Sequence, residues 1–233
     1  MPKLTVQPTV YSILIITAVI AVFLLFLHSR LKKFDPLDEP KGLVLVAMMG
    51  VQFIRGMLEK DTNRHITEKL GPYLAALFIY VFLANISGLF SIDPPTSNYS
   101  VTVTLAAITC VLIEYYSIKY RGVKGYIKTL FEPLAPFVII NLISKIGTLL
   151  SLSLRLFGNI IAGSILMGVI YQLFAMVSSA IPVIGAFNIV GVLVAPVLHI
   201  YFDLFSGAMQ TYLFATLSVA FISNELPAEA KED

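Results

Sequence analysis

Between Arg155 and Asp203 the chain runs for 47 residues without a charged side chain. About 20 apolar residues at about 1.5 Å each already cross a hydrocarbon core of about 30 Å. Four more charge-free runs accompany it: Leu4–Leu27, Leu70–Ile92, Pro94–Ile113 and Leu204–Asn224. Such runs need a solvent other than water. The whole chain agrees, with 58% hydrophobic and 13% charged residues over 233 positions, where soluble domains carry about 45–50% and about 25%. An ordinary cytosolic enzyme, a disordered chain and a disulfide-stapled module are excluded, the last because Cys110 is the single cysteine. The reading is an all-α, multi-spanning membrane protein.

The placement of Lys and Arg orients the spans. Arg30, Lys32, Lys33, Lys41, Arg55, Lys60, Arg64 and Lys69 fill the connection after the first run, and Lys119, Arg121, Lys124 and Lys128 fill the one after the third. The connection between the second and third runs holds only Asp93 with Pro94 and Pro95. The positive-inside rule puts the two basic connections in the cytoplasm and the Asp93 loop outside. The first run lacks a basic leader beyond Lys3 and a small-residue cleavage site, so it reads as a retained helix with an external N-terminus. The C-terminus is then cytoplasmic. The absence of a transit peptide favours a bacterial plasma membrane.

In the first basic connection, Leu43, Val46, Ala47, Gly50, Phe53, Ile54, Met57 and Leu58 recur at helical spacing against a charged face. This predicts an amphipathic helix lying in the membrane surface over 42–69. The expected organisation is a single polytopic domain, 1–233, with spans at about 9–28, 72–91, 100–118, 134–179 and 185–223. The last two are too long for upright spans and lack the hydrophilic connections that would divide them. They read as two long, strongly tilted helices joined as a hairpin near Ser178–Pro182.

Polar residues in this hairpin fall at helical spacing. Arg155 and Asn159 are i, i+4, with Gly158 and Gly163 nearby, and His199, Asp203, Ser206 and Gln210 form one stripe on the second helix. An ion at mid-membrane costs about 2.5–3.5 kcal/mol on insertion scales, so such residues persist where they pair, meet water or do chemistry. An Arg155–Asp203 ion pair joining two helices is the plainer alternative, but it leaves His199 and Gln210 without a role. Lys145 can snorkel to the cytoplasmic interface. Glu114 sits near the cytoplasmic end of its span, His28 and His65 are interfacial, and Asn85 and Asn141 are candidate helix-packing groups.

The string Ser151-Leu-Ser-Leu-Arg155-Leu-Phe-Gly158-Asn159, the following Ala162-Gly163 and the downstream Gln210-Thr-Tyr-Leu-Phe resemble the signature of subunit a of the F-type ATP synthase. That family is the membrane stator that conducts ions past a rotating c-ring. The resemblance implies that Arg155 faces the ring carboxylate, with Gln210 opposite it and Asn159 one turn beyond. It implies two aqueous half-channels loading and unloading H⁺ at the ring, Na⁺ remaining open because the selecting carboxylate is on the ring. A c-ring interface of Arg155, Leu156, Gly158, Asn159, Gly163, Ser206, Gly207 and Gln210 is expected. Partners would be the c-ring, peripheral-stalk b subunits and membrane lipid, with no nucleic acid. Neither cofactor, metal nor catalytic residue is expected, since no phosphate-binding glycine loop is present and ATP chemistry would lie in partner subunits.

Two departures from the family pattern matter. Ser164 stands nine positions after Arg155, where the family often carries an acid or histidine, and Asp203 stands seven positions before Gln210. Proton translocation is therefore expected to involve Arg155, Asn159, Gln210 and Ser164, with Asp203 and His199 lining the outer half-channel. Lys145 replaces a carboxylate common in the family, which puts a relay there in doubt. The alternative function is a self-contained secondary transporter using Arg155 to hold an anionic substrate, which predicts pseudo-symmetric halves around broken helices.

Overall fold

The computed structural model describes residues 8–35, 39–90, 92–179 and 189–227. Among the described residues seven α-helices follow one another: α1 Pro8–Leu31, α2 Leu43–Leu58, α3 Arg64–Ile86, α4 Tyr99–Phe131, α5 Phe137–Ser179, α6 Ile189–His199 and α7 Ser206–Glu225. A π-helical turn, Ile200–Phe205, joins α6 to α7 without a break. Five helical stretches are long and apolar enough to cross a bilayer, α6 and α7 counting as one. The chain is an all-α membrane protein.

Local chemistry explains the boundaries. The amphipathic segment expected over 42–69 stops at Leu58, because Glu59-Lys60-Asp61-Thr62-Asn63 offers polar side chains that compete for backbone groups. Asn63 then starts a new helix, its side chain accepting from Ile66 N–H at 2.9 Å. Residues 64–69 therefore open α3 instead of closing α2. Asn98 caps α4 in the same way through Ser100 N–H, at 2.9 Å. Gly122, at φ +70°, kinks α4, and Tyr126–Phe131 form the last part of that helix. Asn141 of α5 donates to the carbonyls of Leu130 (2.8 Å) and Glu132 (3.1 Å), which otherwise lack helical partners at the end of α4.

The core lies among α3, α4, α5 and α7, with the end of α2 beneath it. Leu70, Leu74 and Val81 of α3 meet Ala106 and Ile113 of α4, Leu152 and Leu156 of α5, and Phe214, Val219 and Ile222 of α7. Buried hydroxyls fill the gaps and bond back to their own helices, as Ser218 does to Phe214 O at 2.8 Å. Ser223 donates to Asp61 O at 2.7 Å and fixes the end of α7 on the turn before α3.

Helices α5 and α6 are the least covered. In their most apolar stretches only 6% of residues are buried in α5 and in the helix Gly191–Glu225, against 33% in α3 and in α4. With 43 residues, α5 is about 65 Å long, twice a hydrocarbon core. The turn expected near 178–182 and the start of the last span at 185 fall largely on residues 180–188, outside the described residues.

The tightest helix approach is α3 on α7. A methyl on Gly207 would lie 3.1 Å from Asn85 Cβ, whereas one on Gly158 would meet nothing within 4 Å. Gly207→Val is expected to lower the thermal stability of the detergent-solubilised chain by about 1–3 kcal/mol. Gly158→Ala should leave it unchanged or raised by up to about 1 kcal/mol. Melting curves of the two variants check the contrast.

Candidate functional site

Arg155 lies on an exposed face of α5, and its guanidinium donates to Ser151 Oγ, one turn back, at 3.4 Å. Among the described residues no carboxylate lies within 4.0 Å of it. Gly158 is exposed beside it, and neither Gly158 nor Gly163 has any atom of a neighbouring helix where a Cβ would stand. The result is a permanent cation on an apolar helix face that this chain leaves open.

Asp203 is engaged elsewhere, which overturns the Arg155–Asp203 ion pair. His199 Nδ1 lies 2.6 Å from Asp203 Oδ2, and His199 Nε2 lies 2.8 Å from the Tyr171 hydroxyl of α5. A carboxylate oxygen so near an imidazole nitrogen requires a proton between them. Both carboxylate oxygens of Asp203 also stand close to Gly88, in the turn Ser87–Phe90 after α3.

Antiparallel pairing of α5 with the last helix organises these groups. Ser206 Oγ donates to Asn159 Oδ1 at 3.1 Å, so one turn further on each helix places Gln210 level with Arg155. Gln210 is 5% exposed, and its Nε2 is buried without a hydrogen-bond partner. Asn85 of α3 braces the same region, donating to Gly207 O and Thr211 Oγ1 at 3.3 Å each and accepting from Thr96 Oγ1 at 2.9 Å.

Several expected site residues stand elsewhere than the sequence suggested. Leu156, 0% exposed, belongs to the core: one residue past Arg155 turns it about 100° round the helix, towards α4 and α7. Gly207 is buried on Asn85 and Gln210 is buried beside it. These three are not surface groups of this chain, whereas Arg155 and Gly158 are exposed and Asn159, Gly163 and Ser206 are partly so. Ser164 is exposed and donates to Ile161 O at 3.0 Å, with no contact to the His199–Asp203 pair. The expected stripe on the last helix is divided by the π-turn, in which Ser206 N–H bonds to Tyr201 O, five residues back.

A second polar cluster lies at the other end of α5. Lys145 does not snorkel freely; its Nζ is 2.6 and 2.9 Å from the Glu114 carboxylate oxygens of α4 and 3.9 Å from Glu225 Oε1 of α7. Tyr126 donates to Glu114 Oε2 at 2.5 Å, Ser117 to Glu225 Oε2 at 2.9 Å, and Arg121 Nε to Glu225 O at 2.8 Å. A cavity of about 200 Å³ opens among Cys110, Glu114, Lys145, Thr148, Asn224 and Glu225. Sequence reading named Lys145 and Glu114 but did not pair them. Tyr171 it missed, since a tyrosine in an apolar run carries no signal before its partner is known.

An arginine exposed on a long apolar helix and flanked along it by two polar clusters marks this chain as a multi-pass membrane protein with ionisable groups inside its spans. The model of the ATP synthase A chain matches residues 10–223. The chain is 30% identical to ATP synthase subunit a of Bacillus pumilus, over 92% of this chain and 90% of that protein. It is 32% identical to the subunit of the same name from Staphylococcus aureus, with 92% and 90% covered. For Desulforamulus reducens the figures are 32%, with 77% of this chain and 65% of that protein covered. The chain belongs to the ATP synthase A chain family.

Lys145 is the hinge of the second cluster, because its removal leaves two part-buried carboxylates facing each other. Lys145→Met is expected to cost about 1–2 kcal/mol of stability, discounted for partial exposure. Adding Glu114→Gln should restore part of that loss, giving a non-additive double-mutant cycle. Thermal unfolding of the three variants measures it.

Proposed function

We propose that the chain is the ion-conducting stator subunit of an F-type ATP synthase, non-catalytic itself and seated in a bacterial plasma membrane. Its N-terminus lies outside and its C-terminus in the cytoplasm. The observation that carries the reading is Arg155, exposed and without a carboxylate partner among the described residues. An ionised side chain in hydrocarbon is costly unless it pairs or meets water. Asp203 is held by His199, so the anion that Arg155 awaits comes from another protein, a ring of c subunits each presenting one carboxylate.

The chemistry follows from a fixed cation. As a permanently charged guanidinium, Arg155 favours deprotonation of each ring carboxylate arriving opposite it. It also blocks a direct leak, since a proton crossing the site would have to pass a permanent positive charge. The two polar clusters sit on opposite sides of Arg155 along α5: Lys145 ten residues before it and Tyr171 sixteen after, about 15 Å and about 24 Å along the axis. In this reading the His199–Asp203 pair lines the half-channel open to the outside. The side of Lys145, near the basic connection after Ser117, opens to the cytoplasm. Ions entering one and leaving by the other must ride the ring between, and each charge moving through 100 mV supplies about 2.3 kcal/mol. Asn159, held by Ser206, fixes the local pairing of the two long helices at the level of the site. Peripheral-stalk b subunits would hold the chain against rotation.

In inverted membrane vesicles bearing the assembled complex, Arg155→Ala is expected to abolish ATP-driven proton pumping while the chain still assembles. Normal coupled pumping would sink the stator reading. Asp203→Asn should slow pumping at least several-fold, and an unchanged rate would remove Asp203 from the pathway.

A further inference from the structure

Tyr171 reaches from α5 to the side of His199 that faces away from Asp203. We propose that Tyr171 is a positioning residue of the outer ion pathway, its hydroxyl holding His199 so that the His199–Asp203 pair takes up and releases a proton without heavy-atom movement. This rests on the half-channel reading above.

The argument starts from hydrogen-bond capacity. A neutral imidazole offers one donor and one acceptor, while an imidazolium offers two donors. Nδ1 is committed to the carboxylate by the 2.6 Å contact, so a change in the charge of His199 appears at Nε2. There the partner must accept from an N–H in one state and donate to a lone pair in the other. A hydroxyl does both by rotating its hydrogen. A carboxylate or an ammonium fails one of the two states and an aliphatic side chain fails both. Tyr171 is the group placed there, 2.8 Å from Nε2, and it comes from a different helix than the pair it serves.

The surroundings leave that task to Tyr171. Of the elements around the pair, the turn Ser87–Phe90 faces Asp203 with Gly88 and carries no titratable side chain, while α5 contributes Tyr171. Asp203 Oδ1 makes no hydrogen bond among those observed, which leaves an oxygen open for exchange with water. Proton balance is simple: the imidazole–carboxylate pair gains one proton from water and loses one towards the ring, and the Tyr171 hydroxyl ends each cycle with the one proton it began with. By helical geometry Tyr171 stands about 160° round α5 from Arg155. The phenol therefore acts through His199, away from the ring-facing side.

The test is a double-mutant cycle in membrane vesicles carrying the complete complex. Tyr171→Phe, His199→Ala and the double variant are compared for assembly, for membrane ATP hydrolysis and for the initial rate of ATP-driven acidification. Tyr171→Phe is expected to slow pumping about 3–10-fold with normal assembly. In the His199→Ala background the same change should alter the rate by less than about 1.5-fold, because the group through which it acts is gone. His199 in Tyr171→Phe should also react several-fold faster with diethyl pyrocarbonate, read peptide by peptide, since Nε2 is uncovered. An unchanged rate in Tyr171→Phe, an equal slowing in both backgrounds, or loss of assembly would each overturn the proposal, the last two by making Tyr171 a packing residue. Arg155→Ala, run alongside, separates this outcome from failure of the stator reading: coupling lost there with Tyr171→Phe unaffected rejects Tyr171 alone.

Discussion

The structure depends on how one long helix, α5, is pinned to the last helix at three heights. Lys145 reaches Glu225 at one end, Asn159 accepts from Ser206 in the middle and Tyr171 meets His199 at the other end. Apolar packing alone is a weak guide to register in a bilayer, because lipid tails are as apolar as leucine and no hydrophobic force drives helix association. Polar contacts at fixed heights supply the missing specificity. Each pair is bonded to further groups: Glu114 and Tyr126 at the first, the Asn85 network close to the second, Asp203 at the third. A slip by one turn would break all three together, so the register is set by their joint satisfaction.

That pinning explains why Arg155 remains open. On α5, Leu152, Ser153 and Leu156 are turned into the core, and the helix cannot rotate to bury Arg155 without exposing them and breaking the three polar contacts. The other candidate anions are engaged too, Asp203 with His199 and Glu114 with Lys145. Among the described residues the cation is thus left without a carboxylate partner. The adjacent Gly158 leaves the surface beside it open, with no atom within 4 Å of where a Cβ would stand.

Much of this was legible in the chain. Charge-free runs marked the spanning helices because a bilayer punishes buried charge more severely than a protein core does, and the spacing of Arg155 and Asn159 announced a helix face with a purpose. What the sequence hid was rotation about the helix axis. Leu156 adjoins Arg155 yet points into the core, Gln210 shares a stripe with Asp203 yet is buried, and Gly207 packs against α3. In soluble helices polarity separates inner from outer faces, but here both faces are apolar and that signal is absent. Contacts between residues far apart, such as Asn85 with Gly207 or Lys145 with Glu114, were likewise unreadable before the helices were set in register.

The π-turn at Ile200–Phe205 shows how the second long helix serves two neighbours. A regular α-helix would carry His199, Asp203, Ser206 and Gln210 down one face, all presented to the same groove. Bonding from Ser206 N–H to Tyr201 O inserts an extra residue and under-winds the helix there. Before the turn His199 meets Tyr171, and within it Asp203 stands by the Gly88 turn; after it Gly207 lies against Asn85, where an added Cβ would come within 3.1 Å of Asn85 Cβ. The close approach of α3 to α7 and the hydrogen-bonded chain from Tyr171 to Asp203 make different demands on the direction of one helix. The extra residue lets both be met while the backbone stays hydrogen-bonded, which a segment surrounded by lipid requires.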